Sequence, residues 1–211
     1  SNSSDNSTFD MIEIYRAFET AGKPIDDGIV LNMPNGLTTT FVGHPVIEFD
    51  MTSVDGKHFR VQHGLKMSAL LLCVLPGSRK GEVRRHLKPF REAVQLLRVT
   101  RPNLNVVIPT ISTLKEEIIQ AVDGWDGNVI VVEGIGSKFS AMAASNVALA
   151  ASGTVALELA LARVPSVIAY KVNVITSWIV KILINSQYAN LVNILLNREA
   201  VPEFIQEECN A

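Results

Sequence analysis

The chain has 211 residues, which is enough for one hydrophobic core and too few for two full-sized domains. Apolar residues make up 47% of the chain and charged residues 19%, a balance that favours a buried parallel sheet over a solvated antiparallel one. With 19 Lys and Arg against 21 Asp and Glu, the net charge of −2 gives no electrostatic case for nucleic-acid binding.

The first 40 residues are predicted to be a tag remnant followed by an irregular arm. Residues 1–8, SNSSDNST, are small and polar and show no apolar period, which is typical of a frayed terminus. Gly, Pro, Asp and Asn then interrupt the strand and helix patterns between residues 22 and 36. The FVGHP sequence of residues 41–45 is taken as the start of a folded domain that runs to residue 211, because Gly43 permits unusual φ values and Pro45 fixes the next turn.

Short apolar runs alternate with helical patterns from residue 69 onward, which indicates stacked βα units and a parallel sheet. The predicted strands are residues 69–75, 104–108, 129–133, 147–151 and 166–170. The helices predicted between them are residues 82–99, 113–122, 137–144 and 154–163. Two further helices are predicted at residues 175–184 and, starting at Pro202, at 203–208. Right-handed connections between these elements give a doubly wound, Rossmann-like α/β fold.

The loop after the first predicted strand, LPGSRKGE at residues 75–82, is the first candidate binding site. Gly77 and Ser78 are expected to turn backbone N–H groups toward an anion at the start of the longest helix, and Arg79 offers a planar guanidinium to phosphate oxygens. The alternative is an ordinary turn with surface charges. The loop has neither the Walker spacing nor GxGxxG, so it does not indicate an ATPase or a nicotinamide enzyme.

Two more strand ends carry candidate loops. In the loop after the strand at residues 147–151, Gly153 brings the backbone close to a ligand, and Ser152 or Thr154 can cap the next helix. Glu158 in the same loop either accepts hydrogen bonds from a sugar diol or is a solvated residue near a positive helix end. In the other, Gly134 and Gly136 let the loop wrap around a base or ribose, or are simply flexible. Because the carboxyl ends of parallel strands share one edge of a sheet, the three loops together predict a nucleotide site.

Several remaining side chains are expected to have no role in the chemistry. His44 is more typical of a turn histidine bonded to the backbone than of a catalytic base, and His58, His63 and His86 are expected at the surface. Cys73 and Cys209 lack metal-ligand spacing and are expected to be free thiols. No apolar run approaches the roughly 20 residues that cross a bilayer. The apolar stretch at residues 178–184 is interpreted as a surface covered by another domain, with a membrane interface or a core helix as alternatives.

Five ordered segments resemble the C-terminal domain of the lipid-A-disaccharide synthase family, which are glycosyltransferases of GT-B fold. These segments are FVGHP at residues 41–45, LPGSR at 75–79, ASGTVALELALARVP at 151–165, residues 188–198 with Asn193, and VPEFIQEEC at 201–209. The third segment is similar to GT-B transferases in general, so it supports the class more than the reaction. One departure is Val192, where the family has a proline.

The resemblance implies transfer of a diacylglucosamine unit from UDP-2,3-diacylglucosamine to 2,3-diacylglucosamine 1-phosphate, which releases UDP, with no metal or other cofactor. The N-terminal acceptor domain of the family is expected to lie outside this chain and to hold the catalytic base, and the isolated chain is expected to be inactive. The resemblance assigns donor-binding residues in this chain as follows: Ser78 and Arg79 for the diphosphate, Gly153 and Thr154 along the same edge, Glu158 for the ribose hydroxyls, and Asn193 for donor placement.

The resemblance also implies a cytoplasmic location and no nucleic-acid partner, and it leaves peripheral contact with the inner membrane and oligomerisation open. Two other functions remain as alternatives. The first is a UDP-N-acetylglucosamine epimerase or hydrolase of related fold. The second is a non-catalytic nucleotide-binding module.

Overall fold

The structure is a computed structural model that describes residues 30–32, 38–40, 50–151, 154–171, 188, 190–196 and 198–210. The chain divides into two compact units, Ser1–Asp50 and Met51–Ala211. In the first unit, strands β1 (Val30–Asn32) and β2 (Thr38–Thr40) form an antiparallel pair. The predicted domain start at residue 41 and the FVGHP sequence lie outside the described residues, as does the helix predicted at 175–184 with the apolar stretch 178–184.

The second unit contains a six-stranded parallel sheet with strand order β5-β4-β3-β6-β7-β8. These strands are β3 (Leu71–Leu75), β4 (Asn105–Thr110), β5 (Val129–Glu133), β6 (Val147–Ala150), β7 (Ser166–Tyr170) and β8 (Glu203–Ile205). The described helices are α1 (Gly56–Gln62), α2 (Lys80–Thr100), α3 (Ser112–Val122), α4 (Ile135–Ala144), α5 (Val155–Leu161) and α6 (Leu191–Leu196), with 3₁₀ turns at Met51–Ser53 and Gln206–Glu208. The doubly wound parallel sheet predicted from the sequence is confirmed.

The strand order reverses direction between β3 and β6, which makes this the switch point of the sheet. Leu72 and Val74 of β3 face the helices that connect β3, β4 and β5, where they pack in one cluster with Val83 and Phe90 of α2 and Ile118 of α3. The intervening residues of β3 point to the other face, because side chains alternate along a strand. All five residues of β3 are buried, as expected for a central parallel strand covered on both sides.

Helix α1 was not predicted from the sequence. Asp55 caps it by accepting hydrogen bonds from the backbone nitrogens of Lys57 and His58, both at 2.9 Å, and these bonds hold the pKa of the Asp55 carboxyl below its ordinary value. At the start of α1, a Cβ on Gly56 would lie 2.6 Å from the backbone carbon of Ala143 in α4. The lack of a side chain at Gly56 therefore allows α1 and α4 to pack closely.

Arg60 anchors α1 to the loop before β3 and to the end of α4. The side chain is buried, and its Nε donates to the carbonyl of Ala144 at 2.8 Å. Nη1 donates to the carbonyls of Lys66 at 3.0 Å and Ala69 at 2.8 Å, and Nη2 to Oδ1 of Asn146 at 3.1 Å. A buried guanidinium is tolerated here because neutral carbonyl and amide oxygens accept its hydrogen bonds.

The helix predicted at residues 203–208 is wrong. Residues Glu203–Ile205 form β8, an edge strand that pairs in parallel with β7, and only Gln206–Glu208 make a single 3₁₀ turn. Pro202 stands just before this strand, where its carbonyl accepts a hydrogen bond from the backbone nitrogen of Ile168 at 2.9 Å. A proline fits the start of an edge strand as well as the start of a helix, so the local pattern did not distinguish them.

Candidate ligand-binding cleft

A cleft of about 430 Å³ opens at the carboxyl ends of β3, β4, β5 and β6, at the switch point of the sheet. The loops after these strands form its walls. The lining residues are Leu75, Gly77 and Ser78 after β3; Pro109, Thr110, Ile111 and Ser112 at the end of β4; Gly134, Ile135 and Lys138 after β5; and Thr154, Val155 and Glu158 after β6. The cleft therefore collects four of the predicted site residues: Ser78, Gly134, Thr154 and Glu158.

The predicted anion cradle after β3 is occupied by a carboxylate of the chain itself. Oε2 of Glu82 accepts hydrogen bonds from the backbone nitrogens of Ser78 at 3.2 Å and Arg79 at 3.3 Å. The N–H group of Ser78, which was expected to face an anion, thus faces Glu82 in this structure, and binding of a ligand diphosphate by Ser78 and Arg79 stays a prediction. Glu82 is buried in the first turn of α2, where the positive end of the helix dipole favours a carboxylate.

Arg79 lies beside the cleft and does not line it. Its side chain is 83% exposed and forms an ion pair with Glu82, with Nη1 at 3.0 Å from Oε1. Without this pair Glu82 keeps its hydrogen bonds from the backbone nitrogens of Ser78 and Arg79, so the exposed guanidinium can leave it for another anion.

Gly77 makes the turn of this loop possible. Its φ is +123°, and a Cβ there would lie 2.6 Å from Cβ and 2.8 Å from Oε2 of Glu82. We expect Gly77→Ala to displace the Glu82 carboxylate and to lower the free energy of unfolding by about 2–3 kcal/mol, because it combines a strained backbone with a steric clash. Urea unfolding would measure this. Gly136→Ala is the matched control, since Gly136 has no positive φ and a Cβ there meets nothing within 4 Å; an equal loss in the two variants would contradict the prediction.

Glu158 and Lys138 form an ion pair in the wall of the cleft. Nζ of Lys138 lies 2.7 Å from Oε1 of Glu158, and the two side chains are 27% and 21% exposed. Lys138 belongs to α4 and Glu158 to α5, so the pair joins the segments that follow β5 and β6. The alternative in which Glu158 pairs only with a helix end is replaced by this lysine pair, whereas its contact with a sugar diol stays a prediction.

Of the two glycines predicted at the site, the structure describes Gly134 but not Gly153. Gly134 precedes α4 with a φ of +92°, lines the cleft, and would have nothing within 4 Å of an added Cβ. Its backbone conformation requires glycine, and the space next to it is open. Gly153 lies outside the described residues, as does Ser152.

Asn193 lies away from the cleft lining and is fully buried. Its Nδ2 donates to the carbonyl of Val201 at 2.8 Å and to Oε1 of Glu203 at 2.6 Å. Its Oδ1 accepts from the backbone nitrogens of Ala200 at 2.8 Å and Val201 at 2.9 Å. These four bonds use the full capacity of the amide and hold the turn that leads into β8. A contact between Asn193 and the donor stays a prediction.

The surface position predicted for His86 is wrong. The ring is fully buried and stacks on Tyr170, with ring centroids 5.3 Å apart. Its Nε2 accepts a hydrogen bond from the backbone nitrogen of Lys171 at 2.8 Å, so Nδ1 carries the proton and donates it to the carbonyl of Pro76 at 3.2 Å. Burial lowers the pKa of His86 below its ordinary value. The neutral ring ties the loop after β3 to the end of β7.

Three residues around the cleft were missed by sequence reasoning: Glu82, Lys138 and Thr110. Glu82 sits at the third position of α2, a spacing typical of a helix-capping carboxylate. Lys138 follows Gly134 by one helical turn, and its backbone nitrogen donates to the carbonyl of Gly134 at 2.9 Å. Thr110 lines the cleft, and its Oγ1 is buried without a hydrogen-bond partner among the described residues.

The described residues also include the two cysteines and can be searched for metal-ligating groups and membrane-spanning helices. Cys73 and Cys209 are both free thiols, and burial raises the pKa of each. No group of three or more His, Cys, Asp or Glu side chains in the described part of the chain is arranged to hold a metal ion. None of the described helices combines the length and apolar character needed to span a bilayer.

A doubly wound parallel sheet with a cleft at its switch point defines a Rossmann-like α/β domain. The sequence model of the lipid-A-disaccharide synthetase family matches residues 32–211. Lipid-A-disaccharide synthases of Rhodospirillum centenum and Paramagnetospirillum magneticum are each 47% identical to the chain, over 174 and 176 residues. The chain belongs to the lipid-A-disaccharide synthase family.

The aligned regions cover 82% of this chain but only 43% and 45% of those two relatives, so the chain spans less than half the length of the curated relatives it matches. Among solved structures, ADP-heptose LPS heptosyltransferase II of E. coli is similar with a TM-score of 0.49 at 12% identity, covering 76% of this chain and 47% of that one.

Proposed function

We propose that this chain is the nucleotide-sugar-binding half of a GT-B glycosyltransferase. In this proposal the whole protein transfers a sugar from UDP-2,3-diacylglucosamine to 2,3-diacylglucosamine 1-phosphate in lipid A biosynthesis, and the chain holds the UDP part of the donor. The observation that carries the proposal is the cleft at the switch point, where Ser78, Thr154 and Glu158 meet within a chain of this family.

The cleft offers a suitable group for each part of a uridine diphosphate. Glu158 would accept hydrogen bonds from the ribose hydroxyls. Ile111 and Ile135 line the cleft at 45% and 63% exposure and would give the base an apolar surface beside Gly134. Ser78 and Thr154 are exposed, and their hydroxyls would donate hydrogen bonds to the diphosphate. Gly153 lies outside the described residues and is proposed as a further contact of the diphosphate.

Arg79 would complete the phosphate contacts from the cleft edge. Because Glu82 takes the backbone N–H groups of Ser78 and Arg79, the diphosphate would rely on side chains for its hydrogen bonds. A guanidinium that leaves Glu82 for the diphosphate stabilises the charge that develops on UDP as it departs, which is what catalysis of this transfer requires. The acceptor site and the catalytic base would belong to the part of the whole protein that this chain does not include.

The substrates carry acyl chains, which supports a place for the whole protein at the cytoplasmic face of the inner membrane. Contact with the membrane would be peripheral. The donor, the acceptor and UDP would be its small-molecule partners, with no nucleic acid, and an oligomer would be compatible with this arrangement.

Calorimetry on the 211-residue chain tests the donor site. UDP is expected to bind more tightly than ADP or GDP, and Arg79→Ala is expected to weaken UDP by about 1.5–3 kcal/mol, the contribution of a charge-assisted hydrogen bond. Arg101→Ala, at an exposed arginine whose Nη1 donates to the carbonyl of Thr100, is the control and should leave UDP binding unchanged. Equal affinity for the three nucleotides, or no loss in the Arg79 variant, would overturn the proposal.

The alternatives give different results with substrates. An epimerase or hydrolase would convert UDP-N-acetylglucosamine with this chain alone, and such turnover would replace the proposal. A binding module would bind UDP, and the whole protein would then form no disaccharide from donor and acceptor. The proposal expects no turnover by the isolated chain and disaccharide formation by the whole protein.

A further inference from the structure

The Lys138–Glu158 pair is the charged feature of the cleft wall. Among the described residues that line the cleft, Lys138 carries the one positive charge and Glu158 the one negative charge. Their 2.7 Å separation between Nζ and Oε1 is that of a charge-assisted hydrogen bond. Both side chains are mostly withdrawn from solvent, at 27% and 21% exposure, so this pair is less screened than one on an open surface.

The pair constrains how Glu158 can meet a ligand. Lys138 stands one turn into α4, on a helix whose neighbouring residue Phe139 is buried in the core, so its backbone position is fixed. From there Nζ donates a hydrogen bond to Oε1 of Glu158. The other carboxylate oxygen, Oε2, can then accept a hydrogen bond from a ligand hydroxyl. Holding a flexible carboxylate in one orientation before the ligand arrives reduces the entropy that binding would otherwise lose.

The pair also balances charge in a site that is proposed to take an anion. A carboxylate without its cation would repel a nucleoside diphosphate in the same cleft, and this repulsion is strongest where water is partly excluded. Lys138 neutralises the charge of Glu158. Glu158 can therefore accept hydrogen bonds from ribose hydroxyls while it lies close to the phosphates.

We propose that Lys138 is the positioning residue for Glu158, which orients its carboxylate toward the hydroxyl groups of a nucleoside diphosphate and neutralises it toward the phosphates. This inference rests on the proposed donor site and assigns a role to a residue outside the five ordered segments that carry the family resemblance. The effect of Lys138 on the ligand passes through Glu158.

A double-mutant cycle on the 211-residue chain tests this, with UDP as the ligand and calorimetry as the measurement. Lys138→Met is expected to weaken UDP about tenfold, the size of one hydrogen bond to a charged group. In a Glu158→Gln background, the same change is expected to weaken UDP less than about twofold, because the carboxylate it acts through is gone. Lys138→Arg keeps the charge and a donor, and should restore UDP affinity to within about threefold of the original.

Lys115→Met is the matched control. Lys115 forms a similar pair with Glu133, with Nζ at 2.9 Å from Oε1 and exposures of 33% and 41%, and it does not line the cleft. This variant should bind UDP like the unaltered chain. Thermal unfolding of every variant, monitored by circular dichroism, identifies any loss of UDP affinity that comes from misfolding. If Lys138→Met does not fold, the milder Lys138→Arg change is used for the test.

Three results would overturn the inference. Lys138→Met could leave UDP binding unchanged, in which case the pair has no role in the site. The full effect of Lys138→Met on UDP affinity could persist in the Glu158→Gln background and disappear when uridine replaces UDP as the ligand. Lys138 would then be a direct phosphate ligand. If the folded, unaltered chain binds no UDP, the proposed function fails first and this inference falls with it, an outcome that the unaltered chain alone reveals.

Discussion

Replacing Arg60 with methionine is expected to lower the free energy of unfolding of the Met51–Ala211 unit by about 3–5 kcal/mol. The guanidinium donates to the carbonyls of Ala144, Lys66 and Ala69 and to Oδ1 of Asn146. Methionine fills a similar volume but donates no hydrogen bond, so these acceptors lose a partner in a site where water is largely excluded. The loss is a large part of the stability that a domain of this size possesses.

The loss of stability in Arg60→Met should come from the hydrogen-bonded groups around Arg60. Asn146 also accepts a hydrogen bond from the backbone nitrogen of Leu71 at 2.9 Å, so Arg60 and the first residue of β3 share one amide. Urea unfolding of the Arg60→Met chain measures the loss. Arg101→Met is the control, because Arg101 is exposed, and it should change the free energy of unfolding by less than about 0.5 kcal/mol. Similar stabilities for the two variants would show that the Arg60 contacts contribute nothing of consequence.

The strands that could be predicted are those whose apolar runs are bounded by turn residues. The predicted bounds of β5 and β7 agree with the structure at both ends. Those of β3 and β6 differ by two residues and one residue at one end, and those of β4 differ at both ends by one and two residues. These runs are apolar because parallel strands are covered on both faces, and this requirement is visible in the local sequence.

The elements that could not be predicted depend on distant partners. β8 exists because Glu203 and Ile205 pair with Ile168 and Tyr170 of β7, more than thirty residues earlier in the chain. Helix α1 is seven residues long and starts with glycine, so its local propensity is weak. Its stability comes instead from the contacts of Arg60 with segments that fold around it, and no periodic pattern in the sequence reports them.

In the candidate site, too, some features could be predicted from the sequence and others could not. Ser78, Gly134, Thr154 and Glu158 could be placed together because the ends of parallel strands share one edge of the sheet. The partners of the charged groups could not be predicted. Glu82 folds back onto the loop that was expected to hold an anion, and Lys138 reaches Glu158 across twenty residues of sequence. Side-chain pairing of this kind is decided by rotamers and burial after the backbone has folded.

His86 should make the stability of the Met51–Ala211 unit depend on pH in the mildly acidic range. The pKa of His86 is lowered in the folded chain, chiefly by burial and further by Arg85, while Glu82 and the Pro76 carbonyl act in the opposite direction. In the unfolded chain its pKa is near the ordinary value of about 6.5. Between these two pKa values the unfolded state binds more protons than the folded state, so the free energy of unfolding falls as the pH falls. The contribution is complete above about pH 6.5 and is lost as the pH is lowered toward the pKa of the folded state.

His86→Phe separates this effect from other titrations. Phenylalanine retains the stacking on Tyr170 but loses the hydrogen bonds to the carbonyl of Pro76 and the backbone nitrogen of Lys171, so the variant should be about 2 kcal/mol less stable at neutral pH. Urea unfolding between pH 7.5 and pH 5 should then show a shallower acid slope for the variant than for the unaltered chain, because the other titrating groups are common to both. Parallel slopes would contradict the role given to His86. The loss of stability at neutral pH would remain, since it follows from the two hydrogen bonds and not from the proton.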